Sequence, residues 1–162
     1  NVMEVQSQAF VRNNLLMNGI QGFSSQDDFD TVNEVEVVHN TIINTGRGAN
    51  LDDWAGKTGM IFANNVVYSK TSQSIRFPKG SAGVYVMGNM VLGAVQGAAA
   101  GFTDGTGLND FVDVEWSASE RDATPSPGSP IIDSADPAMH LSDDLTGKPR
   151  DLTTLESGCL DV

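Results

Sequence analysis

Four segments spaced about 25 residues apart carry an asparagine at the same place in one short apolar pattern. They cover residues 9–18, 35–44, 60–69 and 84–93, and their anchors Asn14, Asn40, Asn65 and Asn89 are 26, 25 and 24 residues apart. A repeat of this length with only short extended segments cannot bury its apolar side alone. The pattern therefore predicts coils stacked on one another, each covering its neighbour.

Within each copy, Ala9/Val35/Met60/Val84, Val11/Val37/Phe62/Val86 and Leu16/Ile42/Val67/Val91 stay apolar. Between the first two sets the residues vary freely (Phe10, Glu36, Ile61, Tyr85), which is the inward and outward alternation of a strand. The anchor falls where the alternation breaks. Asparagine tolerates the left-handed backbone of a sharp corner, and its amide can hydrogen-bond along a stack of like corners, so the four anchors are expected to form a ladder. His39 stands where the other anchors have Asn or Gly before them, and is read as a hydrogen-bonded structural group.

After each corner strand and a short turn (Gly19, then residues 45–48, 70–72 and 93–94), a further strand is expected at 20–23, 49–51, 74–77 and 95–97. With Ile20, Leu51, Ile75 and Val95 inward, the outward row is polar on every coil: Gln21, Asn50 or Asp52, Ser74 with Arg76, and Gln96. From Gly97 the register is lost. Residues 101–109 read as an irregular crossing, residues 111–116 as a last strand or capping element, and Pro125, Pro127 and Pro130 forbid helix and continuous ladder pairing. The expected organisation is one all-β unit with coils over residues 1–97 and an irregular capping tail over 98–162.

The strand, asparagine corner and strand at this spacing resemble the right-handed parallel β-helix of the pectin-lyase-like superfamily, in which an asparagine ladder lines one corner. This implies a single-stranded solenoid of about four coils. The tail carries a second resemblance: residues 128–136, then 144–150, then 158–162 look like the closing segment of many secreted bacterial β-helix proteins. That likeness implies export, hence a secreted or cell-surface location.

Of the formal charge of −12, the larger part lies in the tail. Residues 104–162 hold thirteen Asp and Glu against Arg121, Lys148 and Arg150, whereas residues 1–103 hold eight acids and six bases. Nucleic acid is a poor partner for such a surface, and no apolar run is long enough for membrane insertion. Cys159 stands alone and is expected as a packed side chain, and the spacing of His39 and His140 makes no zinc site.

The residues that could carry chemistry fall on the outward row and its loops. Lys57 or Lys79 could act as the base of a lyase on an acidic glycan and Arg76 or Arg47 could neutralise the developing charge. Asp52 and Asp53 could hold Ca²⁺. Trp54 offers a flat face to a sugar, with Gln21, Asn50 and Gln96 as polar contacts. Two functions are carried forward: the carboxyl-terminal part of an exported polysaccharide-active β-helix protein, a lyase or epimerase of uronate-containing glycans, or a non-catalytic surface, adhesion or carbohydrate-binding solenoid. The uncovered first coil is expected to meet further coils upstream, or another copy end to end.

Overall fold

A computed structural model of the chain describes residues 1–117 and 121–162. The strands are β1 Met3–Val5, β2 Ala9–Arg12, β3 Leu15–Met17, β4 Gln21–Ser25, β5 Val35–Val38, β6 Thr41–Asn44, β7 Arg47–Leu51, β8 Ile61–Ala63, β9 Val66–Arg76, β10 Tyr85–Met87, β11 Asn89–Gln96, β12 Phe102–Asp104, β13 Phe111–Asp113 and β14 Asp122–Pro125. The only helical elements among the described residues are 3₁₀ turns at Leu108–Asp110 and Pro137–Met139. Strands β10, β8, β5 and β2 form one sheet and β1, β3, β4, β6, β7, β9, β11 and β12 a larger one, and every pairing within both is parallel.

This is a parallel β-solenoid of about three turns. The count is lower than four because the four repeats are rungs, and the anchors Asn14 to Asn89 enclose three steps. Repeat positions face one another across the rungs: Val11 with Val37, Val37 with Phe62, Phe62 with Val86, and likewise Leu16, Ile42, Val67 and Val91. Their side chains, with Phe23, Leu51 and Ile75, fill the interior.

The anchors stand in a column. Asn14 Nδ2 donates to Asn40 Oδ1 (2.8 Å), Asn40 Nδ2 to Asn65 Oδ1 (3.0 Å) and Asn65 Nδ2 to Asn89 Oδ1 (3.1 Å). Each acceptor oxygen also takes the backbone N–H of the preceding anchor, at 3.0–3.1 Å. The left-handed residue is the one before each anchor, not the anchor itself: Asn13, His39, Asn64 and Gly88 have φ of 52°, 51°, 55° and 64°. That residue makes the bend, which frees the anchor to turn its amide inward.

The second half of the coil departs from the sequence reading. β9 runs unbroken through residues 70–72 and β11 through 93–94, where turns were expected, and a register shift at Leu92/Ala94 absorbs the irregularity. Ile20, expected inward, is 91% exposed, while Ser74, expected outward, is buried and donates to Gly93 O and Ala94 O. The interior is narrow there: a Cβ on Gly48 would lie 2.4 Å from both Ser74 O and Val67 Cγ1. Only small side chains fit such a bend. Part of the segment read as an irregular crossing adds one more rung, since β12 pairs with β11.

The tail covers two surfaces. Ile43, Val66, Tyr68 and Met90 face outward from the larger sheet and are buried beneath Phe111, Val114, Ala123 and Ile131. Residues 134–162 cross the column of bends: Arg150 Nη2 donates to Asn13 Oδ1 (3.1 Å), Asp136 N to Asn64 Oδ1 (2.7 Å), Gly158 N to Asn64 O (2.8 Å), Cys159 N to Thr41 Oγ1 (3.0 Å) and Ser157 Oγ to Gly88 O (2.6 Å).

Candidate functional site

Parallel stacking sets outward residues of successive rungs side by side, about 4.8 Å apart. Gln21 of β4 lies opposite Arg47 of β7, and Arg76 at the end of β9 lies between Asn50 and Gln96. Arg47 Nη1 donates to Gln21 Oε1 (2.9 Å). Arg76 Nη1 donates to Asn50 Oδ1 (3.0 Å) and its Nε to Gln96 Oε1 (3.2 Å). The amides orient both guanidinium groups without neutralising them. Among the described residues the ion pairs within 4.0 Å are those of Lys57 and Lys79, so neither arginine has a carboxylate partner at that range.

Arg47 also borders a shallow cleft with Ile20, Gln21, Gly46 and Ser72, and its Nε has no hydrogen-bond acceptor. Both arginines are partly exposed, although the Nε of Arg47 is buried. The arrangement presents fixed cationic forks on a wall of neutral amides, a geometry that matches carboxylate or sulfate oxygens.

Other predicted residues take different places. Lys57 Nζ pairs with Asp27 Oδ2 at 2.7 Å, and this hydrogen bond holds the Asp27 carboxyl below the usual carboxylate range. Lys79 contacts the carboxylates of Asp53 and, at 3.8 Å, Asp52, and the hydrogen bond to Asp53 raises its pKa. A general base must give up its proton near the working pH, so Lys79 is held in the wrong form, and Lys57 is spent on Asp27. Neither is placed as a base.

Asp52 and Asp53 shape a turn. Asp53 has φ of 61°, its N–H donates to Asp52 Oδ1 (2.9 Å), and its Oδ2 accepts from Asp27 N (3.3 Å). Among the described residues no three His, Cys, Asp or Glu converge to hold a metal ion. The sugar platform expected of Trp54 is corrected: the indole is 0% exposed, packs edge-on against Phe62 and Phe77 at 6.4 and 6.3 Å, and donates from Nε1 to Ser25 Oγ (3.0 Å). It is a core residue because the stack closes over the loop that carries it.

Sequence reasoning missed a buried polar cluster in the tail. Arg150, Asp144, Glu156 and Asp161 are all buried, and His39 lies buried under the same tail. These residues are scattered along the chain and no spacing marks them, so only the folded tail brings them together.

Comparison with protein-family models, curated proteins and solved structures returned no match, so the class rests on geometry alone: a parallel β-solenoid with an amide column inside and a cationic wall outside. No helix among the described residues is long and apolar enough to cross a membrane.

Proposed function

We propose that the wall bearing Arg47 and Arg76 binds an acidic polysaccharide, as a non-catalytic contact face of an exported solenoid akin to the pectin-lyase-like superfamily. The observation that carries this reading is the pair of guanidinium groups steered by Gln21, Asn50 and Gln96 and left without carboxylate partners at ion-pairing range, in a chain of net charge −12. Buried or satisfied arginines need no such wall. Gln21 and Gln96 flank the two cations on the outer rungs and Asn50 lies between them, so acid contacts stand beside amides that can meet hydroxyls, as a uronate chain requires.

Binding is favoured over elimination because both lysines available as bases are tied to aspartates. Ca²⁺ at Asp52 and Asp53 would have to displace Lys79 and is not needed here.

Calorimetric titration with polygalacturonate and with neutral dextran tests the reading. The acidic polymer should bind and dextran should not. Arg47→Ala and Arg76→Ala should each weaken binding by roughly 10-fold, the value of one charge-assisted contact, and added salt should weaken it further. Equal binding of both polymers, or indifference to both substitutions, would remove the proposal. Growth of absorbance near ~235 nm, the mark of an unsaturated uronate, would restore the lyase reading.

A further inference from the structure

Two ionisable groups outside the wall are sealed beneath the tail in forms that water would not favour at every pH. Glu156 is 1% exposed, and neither of its carboxyl oxygens has a hydrogen-bond partner. The buried carboxyl of Asp161 is its acidic neighbour, and burial beside a like charge favours the protonated form of Glu156. Asp161 Oδ2 accepts from Asp151 N (3.0 Å) and its Oδ1 has no partner. The cation facing this pair is Arg150, which is committed to Asn13 Oδ1, to Gly158 O (3.0 Å) and to Asp143 O (3.3 Å).

On the coil side, His39 Nε2 faces Asn64 Nδ2 at 3.1 Å, while Asn64 Oδ1 accepts from Asp136 N. The amide is thereby fixed with its NH₂ toward the ring, so the imidazole accepts and is neutral. Its Nδ1 has no partner, and the charged groups bearing on it are Arg150 and His140, both of which oppose a positive ring.

We propose that residues 134–162 form a proton-controlled cover over the column of bends, seated only while the buried Glu156 holds a proton and His39 holds none.

The pH limits follow from these environments. Burial, then Asp161, raises Glu156 from 4.5 to about 8. Its support for the seated tail is whole below 4.5 and is lost as pH rises toward 8. Burial, then Arg150, lowers His39 from 6.5 to about 3. Its support is whole above 6.5 and is lost as pH falls toward 3. Between 4.5 and 6.5 the two dependences cancel, so seating is tightest there. Each unit outside that window changes the seating equilibrium by up to about 10-fold; because both groups are half-titrated at the two limits, the change between pH 6.5 and 8 is also about 10-fold.

Cys159 reports the event, because it is fully buried and lies in the cover itself. The rate of its alkylation by iodoacetamide, divided at each pH by the rate for the urea-unfolded chain, should pass through a minimum between pH 4.5 and 6.5 and rise about 10-fold by pH 8. Glu156→Gln should abolish the alkaline rise. His39→Asn, which places at this bend the residue found at positions 13 and 64, should abolish the acid rise alone. Asp161→Asn, by removing the like charge beside Glu156, should shrink the alkaline rise and serves where Glu156→Gln does not fold. A relative rate flat from pH 4 to 9, or an alkaline rise that survives both tail substitutions, would overturn the proposal.

Discussion

Each inner asparagine of the column makes at least four side-chain hydrogen bonds at once. The amide of Asn65 donates to Val37 O (2.9 Å) and Asn89 Oδ1, and its carbonyl oxygen accepts both the backbone and side-chain N–H of Asn40. Truncating it strands buried donors and acceptors of the coils on either side, each costing about 1–3 kcal/mol when left unmet. Asn65→Ala should therefore lose roughly 3 kcal/mol in urea unfolding, and Asn14→Ala, half-exposed at the end of the column, only about 1 kcal/mol. Equal losses at the two positions would mean that the amides act singly. The column was legible in the sequence because a stack repeats its requirement at every coil. Trp54 was not: a lone indole in a loop carries no periodicity, and its burial depends on Phe62 and Phe77 arriving from later rungs.

Among the elements, the strands that flank the corners were legible and the far side of the coil was not. Alternation marks a strand with one wet face. In β6, β9 and β11 it fails, because Ile43, Tyr68 and Met90 face outward yet lie beneath the tail. At the opposite bend, space sets the sequence: a Cβ on Gly48 in β7 would press on Ser74 O of the next rung and on Val67 Cγ1. Gly48→Ala should cost about 1–3 kcal/mol by overpacking, seen as a lower urea midpoint with an unchanged slope. A neutral result would show that the rungs can spread there. The polar wall lay partly in view, since Gln21, Asn50, Arg76 and Gln96 follow from outward alternation. What the alternation could not give was the pairing of Arg47 with Gln21, which needs the register.

Taken as a whole, the molecule divides its labour between a nearly neutral coil body and an acidic tail. The body holds the cationic wall, and the tail supplies the cover that seals the bends. This separation keeps most of the negative charge off the strands that meet the proposed glycan, although Asp27, Asp52 and Asp53 stand near the lysines of the adjoining loops. All of these surfaces depend on coils held in register by the amide column. Backbone hydrogen exchange tests that dependence most directly, because the N–H groups of Asn40 and Asn65 donate to side-chain oxygens of the next coil and to nothing else. The account predicts that these two amides exchange only as fast as the whole molecule unfolds, orders of magnitude behind those of the exposed loop at residues 28–31. Exchange of Asn40 and Asn65 at the rate of that loop would contradict it.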